Sequence, residues 1–170
     1  NSRLKYLYRQ GYLLNQNSKK TLSQALILSQ FDYSCSSWYT GLSDKNKKRL
    51  QICLNKTARY VLNQPPRSHI GPDELHEISW LDVHHRVMQF KLNHVYSIYN
   101  SSGPEYMKQH FKKISSVHTY NTRNSNFNFH VPSVNSVTKK TFYYSGILLW
   151  NSLPNSLKCV NNKKDFKTKL

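Results

Sequence analysis

The chain has 170 residues, of which 25 are Lys or Arg and 8 are Asp or Glu, giving a formal net charge of +17. This size allows one domain or two small ones with a genuine core, and the charge favours a polyanion, nucleic acid before anionic membrane. A long apolar run, a signal-peptide pattern and a Cys-x-x-Cys pair do not occur in the sequence, which argues against a membrane span, a zinc site and a disulfide framework. We therefore expect a protein of a reducing intracellular compartment without a membrane partner.

The first 43 residues predict two helices and a turn. An apolar stripe with helical spacing marks the first helix, although Gly11 weakens the pattern. Its members are Leu4, Leu7, Tyr8 and Leu14. The second helix is expected from a cap at Ser18 to about Trp38, and TGLSDKNKK then reads as a turn. The helix-like opening also indicates a piece of a longer protein.

The pattern from about 44 to 62 predicts a third helix with one apolar and one basic face. Ser43 is the expected N-cap, and Asp44 lies favourably in the first turn. At about 100° per residue, five cations fall within a sector of roughly 100°, opposite Leu50, Leu54 and Val61. The five cations are Lys45, Lys48, Arg49, Lys56 and Arg59, and the pattern is broken by Lys47 and Ile52. The stripe is suited to bind a phosphate backbone, because each contact releases counterions. The same pattern is equally typical of an amphipathic helix whose charged face is only solvated.

The stretch NQPPRSHIGP, 63–72, predicts a linker, because its prolines and glycine forbid a continuous helix. The expected organisation is a helical unit at 1–63, a linker at 64–71 and a second unit at 72–170. Basic residues flank a nearly neutral middle: residues 61–110 carry 4 basic and 5 acidic groups, whereas 111–170 carry 10 and 1.

The acids and histidines of the middle region are candidates for a catalytic or metal site. Four acids lie within 73–82, but helix-start chemistry after Pro72 explains Asp73, Glu74 and Glu77 more simply. A longer helix with a broad apolar face is predicted at 83–99. It carries His84, His85 and His94. Adjacent histidines point about 100° apart on a helix and no carboxylate or Cys completes a set, so we expect no metal.

The last third predicts a small β element followed by two helices. NFNFHVP alternates apolar and polar residues, which predicts a short strand ending before Pro132, although its phenyl rings could instead stack on bases. A helix is expected at 139–150, with Gly146 permitting a close approach and Asn151 ending it. A final helix should be capped by Asn162.

Catalytic motifs are absent from the sequence. It contains no Gly-rich phosphate loop, no Gly-x-Ser-x-Gly, no His-Glu-x-x-His and no Asp-Asp pair. Nucleotidyl transfer by two metal ions needs carboxylates that hold those ions. The sequence therefore argues against an independent polymerase or nuclease centre.

Four segments of the chain share an order with a known family. They are FDYSCSSW (31–38), LQICLNKTAR (50–59), HTYNTR (118–123) and FYYSGILLWNSLP (142–154) followed by DFKTKL. Together they resemble the C-terminal part of the reverse transcriptase polyprotein of non-LTR (LINE-type, jockey-like) retrotransposons. The matching residues are Asp32, Tyr33, Trp38, Leu50, Gln51, Asn55, Lys56, Arg59, Phe142, Gly146, Trp150, Asn151, Leu153, Pro154, Phe166 and Lys167.

The resemblance implies a thumb and post-thumb region without the catalytic centre. In such polyproteins the fingers and palm carry the Asp-rich metal site, and an endonuclease lies further upstream. The thumb grips the primer–template duplex, and the tail helps to engage the element's RNA or target DNA. The implied partners are therefore RNA, DNA or their hybrid, together with the upstream palm and fingers, and the implied location is nucleus and cytoplasm. The zinc knuckle of some relatives is absent from this sequence.

We thus expect a mainly α protein, in which a three-helix thumb-like unit precedes a helical C-terminal unit with a strand or hairpin near 118–131. It should bind nucleic acid without cofactors and be inactive alone, although the parent polyprotein would be a reverse transcriptase. The predicted phosphate contacts are Lys45, Lys48, Arg49, Lys56 and Arg59, with Arg123, Lys139 and Lys140 as weaker candidates. The alternatives are a free-standing basic nucleic-acid-binding module and a protein-binding helical scaffold whose charge serves solubility.

Overall fold

The computed structural model describes residues 2–100, 103–117 and 126–170, most of which are helical. The α-helices are α1 (Ser2–Gln10), α2 (Gln16–Ser23), α3 (Ser29–Asp32), α4 (Cys35–Trp38), α5 (Asp44–Val61), α6 (Pro72–Glu77), α7 (Val83–Asn100), α8 (Glu105–Lys108), α9 (Ile114–Val117), α10 (Phe142–Ser152), α11 (Asn155–Lys158) and α12 (Lys163–Lys169). A π turn covers Gln24–Leu28, and 3₁₀ turns cover Gly11–Leu13, Tyr39–Gly41 and Thr138–Lys140. The protein is therefore mainly α, as the sequence predicts.

The chain divides into two compact units, unit 1 (Asn1–Val87) and unit 2 (Met88–Leu170). This division falls later than the linker predicted at 64–71. The end of that linker and the segment after it belong to unit 1: Ile70 and Trp80 are buried, and the Gln51 side chain of α5 accepts a hydrogen bond from the Val83 amide at 3.0 Å.

The helix predicted from Ser18 to Trp38 is wrong in its extent. α2 begins earlier, because the Asn15 side chain accepts a hydrogen bond from the Ser18 amide at 2.8 Å and so acts as the cap. The helical run then ends at Asp32, and Ser34, two residues further on, has a left-handed φ of 49°. Trp38 stabilises this break, since its indole nitrogen donates to the Tyr33 carbonyl at 2.8 Å.

The core of unit 1 forms where α1, α2 and α5 meet. Leu54, Ala58 and Val61 of α5 are completely buried, so the apolar face predicted for this helix is confirmed at two of its three positions, Leu50 being half-buried. Gly11, directly after α1, allows the backbone to lie close to Tyr60 of α5, because a Cβ at this position would be only 2.8 Å from a ring carbon of Tyr60.

An ion pair ties α3 to the start of α7 within unit 1. The Arg86 Nε and Nη2 atoms donate to the two carboxylate oxygens of Asp32, each at 2.6 Å. The two side chains are 20% and 23% exposed, so the bidentate pair is only partly screened by water. Asp32 of the FDYSCSSW segment therefore has a structural role.

Aromatic residues from α7, α10 and α12 build the core of unit 2. Tyr96 stacks on Phe166 with ring centroids 4.4 Å apart, and its hydroxyl donates to the Val160 carbonyl at 2.8 Å. A Cβ on Gly146 would lie 3.0 Å from a Val95 methyl group, which confirms the close approach predicted at this glycine. The predicted cap of the last helix is also confirmed: the Asn162 side chain accepts from the Lys164 amide.

The predicted β element lies partly outside the described residues, since 118–125 are not among them. In the described part it is an isolated antiparallel bridge between Lys113 and Phe129. Phe129 is buried, but Val131 is 39% exposed, so the alternation predicted for this strand fails at its end. The partner segment is 112–114, at the start of α9: the Ile114 amide donates to the Asn128 carbonyl, and the His130 amide donates to the Lys112 carbonyl. Within the described residues the predicted strand or hairpin is therefore a single bridge.

Trp150 and Asn151 fasten this β segment to α10. The Trp150 indole nitrogen donates to the Phe127 carbonyl at 3.0 Å, and the Asn151 amide group both accepts from and donates to the main chain of Phe129 at 2.8 Å. The prediction that Asn151 ends the helix is therefore wrong, because α10 continues to Ser152 and Asn151 is used to bind the neighbouring segment.

Candidate nucleic-acid interface

The candidate interface is built on α5, the 18-residue helix of unit 1. No Gly or Pro interrupts residues 44–61, and Asp44 in the first turn complements the positive end of the helix. Ser43 precedes the helix as predicted, and its carbonyl accepts from the amides of Asn46 and Lys47, but its side chain forms no cap bond. The buried residues fix the rotation of the helix and thereby decide which side faces solvent.

Four of the five predicted stripe residues are exposed on that outer side. They are Lys45, Lys48, Arg49 and Lys56. At about 1.5 Å per residue, Lys45 and Lys56 are separated by roughly 16 Å along the helix axis. Ile52 lies among them and is 53% exposed. The outer face is therefore a cationic surface with one apolar side chain near its middle.

Arg59 and Lys47 differ from the exposed cations. Arg59 is half-buried, and its Nε donates to the Ser68 carbonyl at 2.7 Å, so part of its guanidinium holds the loop after α5. Lys47, which broke the predicted pattern, lies 3.2 Å from Asp44 and 5.8 Å from the ring centre of Tyr39. Lys47 is thus directed into local contacts and away from the stripe.

A groove between α1 and α5 adds residues that sequence reasoning missed. Lys5 and Tyr8 of α1 line it together with Lys56 and Arg59. The Tyr8 hydroxyl donates to the Lys56 carbonyl at 3.2 Å. Burial raises the pKa of Tyr8, while the nearby Arg59 guanidinium acts in the opposite direction. The apolar spacing in α1 identified Tyr8 as a packing residue, but nothing in the sequence connects Lys5 with a helix some fifty positions later.

The weaker candidates lie elsewhere. Lys139 and Lys140 are exposed in the 3₁₀ turn before α10, in unit 2. Arg123 lies outside the described residues, as does the segment 118–123 that contributed to the family resemblance. The structure therefore brings the α5 stripe together within unit 1, whereas Lys139 and Lys140 belong to unit 2.

Two of the candidate acids and two of the candidate histidines of the middle region line a hollow of about 900 Å³ in unit 1, which Lys48 of the α5 stripe also borders. They are Asp73, Asp82, His84 and His85. Asp82 acts there as a helix cap: it accepts from the amide of His85 at 2.9 Å and contacts the His85 ring nitrogen at 2.6 Å. Burial alone would raise the pKa of Asp82, but these hydrogen bonds outweigh it and lower the pKa. Among residues 2–100, 103–117 and 126–170, no three His, Cys, Asp or Glu side chains converge as metal ligands.

The fold and the α5 surface define a basic, mainly helical protein with a cationic helix face. Comparison with protein-family models, with curated proteins and with solved structures gave no match to the chain. Within the described residues no helix is long and apolar enough to cross a membrane.

Proposed function

We propose that this chain is a non-catalytic nucleic-acid-binding part of a non-LTR retrotransposon reverse transcriptase, and that the α5 stripe contacts phosphates of the primer–template or of the element's RNA and target DNA. The observation that carries the proposal is the stripe itself: Lys45, Lys48, Arg49 and Lys56 are exposed together on one face of a continuous helix. The family-like order of the four sequence segments supports the assignment to a reverse transcriptase.

The charge of the stripe suits a polyanion better than a protein partner. Its only acidic neighbour on α5 is Asp44, which contacts Lys47. Four amines and guanidinium groups in one surface raise the local positive potential and attract phosphate from a distance of about a Debye length. Arg59 contributes less to binding than the sequence predicts, because one of its five N–H donors is already used by Ser68.

A salt titration tests the proposal with a matched control. The stripe variant replaces Lys45, Lys48, Arg49 and Lys56 with Gln and leaves Arg59 in place, because Arg59 holds the loop. The control variant removes the same charge from four exposed lysines of α12. These are Lys163, Lys164, Lys167 and Lys169. Affinity for a labelled DNA duplex and for an RNA–DNA hybrid is measured at several salt concentrations.

The stripe variant should flatten the log–log salt dependence on duplex DNA by about 0.9 for each lost contact, and thus by 3 to 4 in total. The α12 control should change the slope far less. Equal slopes for both variants would refute the role of the stripe, and absence of binding at mild salt would favour the protein-binding scaffold instead. Tighter binding of the hybrid than of the DNA duplex would agree with a thumb-like role.

A further inference from the structure

The groove between α1 and α5 extends the basic surface of unit 1, because it shares Lys56 and Arg59 with the predicted stripe and adds Lys5 of α1. Its volume is about 340 Å³, and it is lined by Leu4, Lys5, Tyr8, Lys56, Arg59 and Pro66. Three of these side chains are cationic, and the lining contains no acidic residue among those the structure describes. The groove therefore offers a concentrated positive charge next to two apolar walls.

Internal contacts fix the walls of the groove. Tyr8 is held from two sides: its hydroxyl donates to the Lys56 carbonyl at 3.2 Å, and its ring packs edge-to-face on Tyr60 with centroids 5.1 Å apart. Arg59 is held by Ser68 through Nε. A site whose groups are already oriented loses less conformational entropy when a ligand binds.

We propose that this groove binds a phosphoryl group of a nucleic acid, with Lys5, Lys56 and Arg59 around the phosphate oxygens and Tyr8 and Pro66 against the adjoining sugar. The inference rests on the proposed function and adds α1 to the interface. Arginine suits this position, because its planar guanidinium can bind phosphate oxygens while one N–H donor is used elsewhere. The phosphoryl group is either an internal phosphodiester or a terminal monoester, since both present the same oxygens.

Lysine footprinting of the wild-type chain tests the groove without altering the fold. Amines are acetylated under trace-labelling conditions with and without a 20-base-pair RNA–DNA hybrid, and modification is read by mass spectrometry. At about ten times Kd the bound fraction is about 0.9, so labelling of a contacted amine should fall about tenfold. This is expected for Lys5 and Lys56, with Lys45 and Lys48 as monitors of the stripe and the exposed Lys112 of unit 2 as the unprotected control.

The pattern of protection separates the two proposals. Protection of Lys5 together with Lys56 supports the groove. If Lys45 and Lys48 are protected while Lys5 is labelled as in the free protein, the groove proposal is overturned and the stripe stands. If none of these lysines is protected, both proposals fall.

Two further arms sharpen the result. Hybrids with and without a 5′ phosphate identify the source: unchanged Lys5 protection supports an internal phosphodiester, and protection only with the 5′ phosphate supports a terminal monoester. Lys5→Gln should flatten the salt slope on duplex DNA by about 0.9, whereas Lys112→Gln, which removes the same charge, should leave it unchanged. Equal slopes for both variants would overturn the groove proposal.

Discussion

Replacement of Asn151 with Ala tests how α10 holds the β segment of unit 2. The Asn151 amide satisfies both main-chain groups of Phe129, whose side chain is only 1% exposed. A buried polar group left without a partner costs about 1–3 kcal/mol, so the loss of two bonds costs about 2–6 kcal/mol. The better helix propensity of Ala offsets roughly 0.6 kcal/mol of this. We expect the free energy of unfolding of unit 2 to fall by about 3 kcal/mol.

The assay is urea denaturation combined with amide hydrogen exchange read residue by residue. Urea denaturation gives the free energy of unfolding. Hydrogen exchange at the Phe129 amide, which donates to Asn151, shows whether this particular hydrogen bond is lost in the variant. Asn161→Ala is the matched control, because Asn161 is exposed and lies outside the helices. A loss for Asn151→Ala no larger than that of the control, with unchanged exchange at Phe129, would refute the reasoning.

Three other predictions concern unit 1. Gly11→Ala should lower its stability by about 1–3 kcal/mol in urea, because the new Cβ would lie 2.8 Å from the Tyr60 ring; wild-type stability would contradict this close approach. Asp32→Asn should lower the free energy of unfolding of unit 1 by about 2 kcal/mol. Because Asp32→Asn and Arg86→Gln remove the same ion pair, the double variant should lose less than the two single variants together; additive losses would refute the coupling. The pKa of Asp82 in the folded protein is lowered below the ordinary value of about 3.9. The stability that this carboxylate contributes to unit 1 should therefore be present above that value and be lost as the pH falls below it towards the folded pKa. Asp82→Asn should make this acid-induced loss of stability smaller in an acid titration.

Local patterns allowed several elements to be predicted from the sequence. The helix predicted at 83–99 is α7, Pro72 begins α6, and Asn162 caps α12. Each depends on neighbouring residues alone: apolar spacing, a fixed proline φ or a side chain that reaches an amide two or three positions later. The apolar side of α5 followed from the same periodicity.

Other features depend on partners that are distant in the sequence. Asn15 and Ser18 are both good caps, and only the folded chain decides between them. Ser34 adopts a left-handed backbone conformation, which the sequence does not indicate because the residue there is not a glycine. Arg59 lies in the predicted basic sector of α5, but its guanidinium donates to the Ser68 carbonyl in the loop after the helix. Lys5 lines the same groove as Lys56 only because α1 packs beside α5, which no local pattern specifies.

The position of Phe166 has a consequence for biosynthesis. Its side chain is completely buried between Tyr96, 70 positions earlier, and Trp150, with ring centroids 4.4 and 6.1 Å away. During translation, α7 leaves the ribosome well before this aromatic ring is available. The core of unit 2 therefore closes only after Phe166 has left the exit tunnel, and until then the face of Tyr96 that Phe166 covers stays exposed, which is the kind of surface that promotes aggregation.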